Sequence, residues 1–163
     1  MAQSHVMDNI DRIDPGLRYK EVPLLARNAG GKLERIEIEG MGPVAARGAA
    51  FGDLDNNGSV DVVMTVLGDR PIIFRNGSTG NHWLMISLAG SRSNRDGFGA
   101  KVTVNGRSGY ATSAGSYLSA NDKRLHFGLG TAREARVEVR WPSGQRQAFE
   151  HVAADQVLTV KEP

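Results

Sequence analysis

The segment Arg136-Val137-Glu138-Val139-Arg140-Trp141 alternates charged and apolar residues without a break. A strand turns successive side chains to opposite faces. A period of two therefore puts Val137, Val139 and Trp141 on one face and both arginines with Glu138 on the other. Related runs occur along the chain. Arg35-Ile36-Glu37-Ile38-Glu39 alternates in the same way, and Val60 with Val62 to Leu67 is nearly continuous, as in a well-buried strand. Trp83 to Leu88 follows, and Lys101 to Val104 leads into Asn105-Gly106, a strong hairpin signal. Gln147 to Val152 and Gln156 to Val160 read as closing strands. No window longer than about ten residues keeps a helical period, although Thr131 to Ala135 reads as one turn. Twenty glycines against six prolines fit many tight turns. These patterns predict an all-β fold.

At 163 residues the chain fits one domain or two small ones. The turn-rich stretch NGSTGN, residues 76–81, places the best boundary, giving regions 1–80 and 81–163. Pro23-Leu24-Leu25-Ala26-Arg27-Asn28 returns forty-eight positions later as Pro71-Ile72-Ile73-Phe74-Arg75-Asn76. That spacing lies within the range of propeller-blade repeats. The start, MAQSHVMDNIDRIDPG, is polar and lacks the apolar core of a signal peptide. No run approaches the ~18 apolar residues of a membrane span. With no cysteine, disulfides and thiolate metal sites are excluded. A net charge of +2 is too small to argue for nucleic acid. It is unevenly spread: residues 1–80 carry −2 and residues 81–163 carry +4. The basic excess reads first as a solvated, arginine-rich strand face, with an anionic partner as the alternative.

The nine residues DLDNNGSVD, 53–61, crowd three aspartates around one glycine. With Asp53 at position 1, Asp55 stands at 3, Asn57 at 5, Gly58 at 6, Ser59 at 7 and Asp61 at 9. Oxygen-bearing side chains at alternating positions, a glycine for the sharp turn and a main-chain carbonyl at position 7 suit a hard cation. Calcium accepts six to eight oxygens in a flexible cage, whereas magnesium demands a tighter octahedron. The loop is not an EF-hand, because position 12 is Met64 and the flanks read as strands. The plainer reading is an Asx-rich hairpin turn with solvated carboxylates.

RGAAFGDLDNNGSVDVV resembles an FG-GAP repeat, the calcium-loop motif of integrin-type β-propeller blades. SNRDGFGAKVTV, GSYLSANDKRLHFGLGTA and VEVRWPSGQ resemble the ASPIC/UnbV domain. The first likeness covers residues 47–76 and the second residues 94–160, with PLLARN closing a preceding blade. The resemblance implies blade-like antiparallel strands with a calcium loop, packed on a C-terminal β-sandwich. It implies Ca²⁺ held by Asp53, Asp55, Asn57, the carbonyl of Ser59, and Asp61. It also implies export to the periplasm or the cell exterior, and it supplies no catalytic residue. One blade falls short of the four that a closed propeller needs. The expectation is therefore a piece of a longer protein, or a compact variant in which the blade packs on the C-terminal domain.

No constellation of residues points to catalysis. His5, His82, His126 and His151 form no HExxH or paired spacing, and no G-x-S-x-G elbow occurs. His126 alternates with Leu125 and Phe127, which puts it on the outer face of a strand. Gly97-Phe98-Gly99 and Gly128-Leu129-Gly130 are isolated fragments with simple turn explanations. The expected function is a calcium-stabilised, non-catalytic interaction or adhesion module with a protein or glycan partner. The alternative is a carbohydrate-binding module with Trp83, Tyr110, Tyr117 or Trp141 as a sugar platform. Of these, Trp141 is expected in the core, and the two tyrosines are the better candidates.

Overall fold

A computed structural model describes all of residues 1–163. It is all-β: twelve strands accompany one helical turn, α1 (Ile10–Ile13). No helix is long and apolar enough to cross a membrane. The chain divides into two compact units that are discontinuous in sequence. The first takes residues 1–50, 62–74 and 116–119, and the second takes 51–61, 75–115 and 120–163. The single cut after residue 80 expected from NGSTGN does not describe these units. The chain leaves the first unit at residue 51, returns at 62 and leaves again at 75, so the aspartate loop belongs with the C-terminal half.

The first unit holds β1 (Leu25–Ala29) and β2 (Lys32–Ile36), paired antiparallel as a two-stranded ribbon with every residue exposed. Its other sheet has the order β3 (Ala46–Gly52), β4 (Asp61–Val66), β5 (Ile72–Phe74). Ile10, Ala45, Ala46 and Met64 are its buried apolar residues. Two expectations need correction here. The strand expected at 35–39 ends at Ile36, and β4 is less buried than its β-branched run implies, with Thr65 and Leu67 exposed. The two echoing hexapeptides also differ: Leu25 begins a solvent-exposed ribbon, whereas Ile72–Phe74 is the edge of a three-stranded sheet.

The second unit is a sandwich. One sheet has the order β11 (Arg146–Ala153), β10 (Glu134–Arg140), β7 (Lys101–Val104), β8 (Arg107–Tyr110). The other has the order β12 (Gln156–Lys161), β6 (His82–Ala89), β9 (Leu125–Gly130). A single apolar cluster takes Val102, Val104, Val137, Val139 and Trp141 from the first sheet side, and Leu84, Ile86, Phe127 and Val160 from the second. Strict alternation along β10 fills this core from one face, as its period of two dictates. Trp141 is 2% exposed and donates its indole N–H to Gln147 Oε1 at 2.6 Å, so its polar edge is satisfied.

Asn105 and Gly106 both have positive φ, 47° and 81°, and join β7 to β8 with Val104 opposite Arg107. That is the two-residue hairpin the dipeptide predicts. Residues 131–133 connect β9 to β10 without a helix. A helical turn there would have consumed Glu134 and Ala135, which instead pair with Ala153 and Val152.

Candidate functional site

Asp53 follows the end of β3 and Asp61 opens β4, so the two strands carry the ends of the loop to one place. Within it, Asn56 (φ 58°) and Gly58 (φ 89°) take the left-handed conformations of a tight turn. The aspartates build the turn themselves. Asp53 Oδ1 accepts the N–H of Asn57 at 3.1 Å and Oδ2 accepts that of Gly58 at 2.7 Å. Asp61 Oδ2 accepts the N–H of Leu54 at 3.1 Å and Oδ1 accepts that of Asn76 at 2.8 Å. Those two amide bonds, outweighing burial and helped by Arg75, hold the Asp61 carboxyl below the usual aspartate range. Asp53 and Asp61 are buried and Asp55 is exposed.

Sequence spacing placed five ligands here, and the structure brings three of them together. One carboxylate oxygen from each of Asp53, Asp55 and Asp61 lies within 4.8 Å of the others. Oxygens bound to one calcium at 2.3–2.6 Å stand at most about 5 Å apart, so the donor set fits a single hard cation. Each ionised carboxylate has roughly four acceptor sites, so the amide bonds leave lone pairs for an ion. Asn57 turns its Oδ1 to the N–H of Ser59 at 2.8 Å, and Ser59 donates its hydroxyl to the carbonyl of Ser78 at 2.8 Å.

Sequence reasoning missed the cations around the loop. Arg75 pairs with the Asp55 carboxylate and sets its Nε 3.5 Å from Asp61 Oδ1. Arg124 donates to the main-chain carbonyl of Asp53 at 2.9 Å and to the side chain of Asn56, and it is itself held by Asp122. No local spacing links these arginines to the aspartates. The only hint was Arg75 closing the echo PIIFRN.

Gly58 packs against Trp83. A Cβ at position 58 would lie 2.0 Å from Trp83 Cδ1, so the loop accepts no side chain there. Trp83 stacks on His126 with centroids 6.4 Å apart and rings 10° from parallel, and His126 Nε2 lies 2.7 Å from the carbonyl oxygen of Gly58. His126 is on the outer face of β9 as alternation predicts, but the loop engages it. A cleft of about 250 Å³ opens beside this stack, with His82, Asn76 and Ser78 on its walls. Among the proposed sugar platforms, Tyr110 and Tyr117 are 65% and 69% exposed, Trp83 is half-buried, and Trp141 belongs to the core.

Residues 90–163 match the family model described as ASPIC and UnbV. That match covers the strands from β7 onward and does not reach the FG-GAP-like segment at 47–76. No curated protein matches the chain.

Proposed function

We propose that this chain is a calcium-stabilised, non-catalytic interaction module of an exported protein, with adhesion as its role. The observation that carries this reading is the convergence of Asp53, Asp55 and Asp61 on one point. In the proposed site one Ca²⁺ is bound by these three carboxylates, Asn57, the carbonyl of Ser59 and water. The FG-GAP likeness of residues 47–76 supports the same ligand set, and export follows from that likeness and from the ASPIC/UnbV one. Arg75 stands in part where the ion's charge would act, so calcium competes with a built-in cation. A loop without a bidentate twelfth-position glutamate binds modestly, with a Kd on the order of 10⁻⁵ to 10⁻³ M. The role is structural: the carboxylates serve as ligands and amide acceptors, and no general base accompanies them.

The test is calorimetric titration with calcium, together with melting in calcium and in chelator. Calcium at ~100 times Kd should add ~2.7 kcal/mol of stability. Asp55→Ala should abolish the calcium response and leave the calcium-free protein folded. Absence of heat at millimolar calcium, with melting unchanged by chelator, would reduce the cluster to an arginine-paired turn. A carbohydrate-binding module is the second reading, favoured by the exposure of Tyr110 and Tyr117.

A further inference from the structure

One row of side chains crosses the four-stranded sheet from β8 to β11. Tyr110 lies opposite Lys101, Lys101 opposite Arg140, and Arg140 opposite Arg146. The row is on the face away from the core, because the alternate residues Val102 and Val139 are buried. Adjacent strands are about 4.8 Å apart, so the backbone positions that carry the three cations span roughly 10 Å. Like charges directly opposite each other destabilise a sheet. A neighbouring acid would relieve this, and the face carries three, Glu134, Glu138 and Glu150. Arg136 holds Glu138 and Glu150 at 2.8 and 2.7 Å, and His151 Nδ1 lies 2.9 Å from Glu134. Lys101, Arg140 and Arg146 take part in no ion pair of the chain. The next row offers hydroxyls: Thr103 and Ser108 are opposite each other with their oxygens 2.9 Å apart. A depression of about 460 Å³ lies over these strands, with Lys101, Thr103, Arg140 and Arg146 on its walls beside Glu138, which is opposite Thr103 and held by Arg136.

We propose that this face binds a linear acidic polysaccharide of the polyuronate type. Its carboxylates lie along Lys101, Arg140 and Arg146, its hydroxyls reach Thr103 and Ser108, and one sugar ring stacks on Tyr110. An extended sugar chain advances by about one ring per strand spacing, so a run of rings spans the row and its charges meet cations on neighbouring strands. Single-stranded nucleic acid would need successive aromatic platforms, and the row has one. An anionic membrane surface takes a cluster of four to eight basic residues, and the row has three. The site is independent of the calcium loop, none of whose residues belongs to this face.

The test is binding of a short oligogalacturonate by the full chain, in calcium and in chelator. Its methyl ester serves as the uncharged control, with a single-stranded oligonucleotide and anionic phosphatidylserine vesicles as competing polyanions. The expected result is binding of the acid, weakened by salt, with the ester about tenfold weaker or more. Arg140→Glu should abolish binding while melting stays level or rises, because it gives Lys101 and Arg146 a counter-charge. Arg146→Gln should weaken binding and leave melting unchanged, and Tyr110→Ala should weaken it several-fold. Unchanged affinity in Arg140→Glu, no binding of the acid, or tighter binding of the oligonucleotide or the vesicles would each overturn the proposal.

Discussion

Arg75 sets its guanidinium nitrogen 3.5 Å from a carboxylate oxygen of Asp61 while it also pairs with Asp55. The arginine and a bound cation therefore draw on the same two anions. Arg75→Gln should tighten calcium binding and lower the melting temperature of the calcium-free protein. Titration calorimetry and melting in chelator read the two effects separately. Equal calcium affinity in both proteins would mean that Arg75 does not compete for the site.

Gly58 is pressed against Trp83 at positive φ. Gly58→Ala should cost about 1–3 kcal/mol from overpacking, with a further penalty for the left-handed backbone. It should also break the contact between Trp83 and the loop, which shows as a change in tryptophan fluorescence. A variant with parent-like melting and emission would place Trp83 away from the loop.

Trp141 fills the centre of the sandwich core. Trp141→Ala should destabilise the protein by ~3–5 kcal/mol, a large share of ordinary domain stability. Chemical denaturation measures the loss, and a variant melting like its parent would contradict the assignment.

Glu162 is buried beside the loop at 91–93. Its Oε2 accepts the N–H groups of Ser91, Arg92 and Ser93 at 2.7–2.8 Å, and its Oε1 accepts the hydroxyls of Ser93 and Ser143. Burial would raise this carboxyl, but the bonds from Ser143, Ser93 and Ser91 outweigh it and hold it at about 2, against an ordinary 4.5. A carboxyl lowered on folding contributes stability above its unfolded value and loses it as pH falls toward the folded one. The contribution is therefore complete above pH 4.5 and fades toward pH 2. Glu162→Gln should destabilise the protein at neutral pH, with a difference from the parent that shrinks across that window. A difference independent of pH would show that charge has no part in the contact.

Local pattern carried the strands and failed at their partners. The alternation in Arg136 to Trp141 reports which face is buried, because burial of one sheet face is what selects that pattern. Asn105-Gly106 likewise encodes its hairpin in two residues. The aspartate spacing revealed three converging carboxylates. It gave no sign of Arg75 and Arg124, because a counter-charge brought in by another segment leaves no mark on the loop's own spacing. Glu162 was equally silent: one acid near the end of a strand has no period, and its five donors are about 20 or 70 residues away in sequence. The alternating stretch Arg35 to Glu39 begins in the second arm of the exposed β1–β2 ribbon and runs out of it after Ile36, because the ribbon makes no sheet face that a core covers.

The pairing of β6 with β12 has a consequence for synthesis. β6 is the central strand of its sheet, yet its neighbours are β9 at 125–130 and β12 at 156–161, the latter lying parallel to it. When β6 leaves the ribosome, neither partner exists. Closing loops of this length before any contact rewards them is slow. The apolar stretch Trp83-Leu84-Met85-Ile86 thus stays an open edge during elongation, and one side of it is sealed only when residues 156–161 emerge. Ribosome-stalled chains ending before residue 156 should bind holdase chaperones through this segment, and chains in which residues 156–161 have emerged should release them.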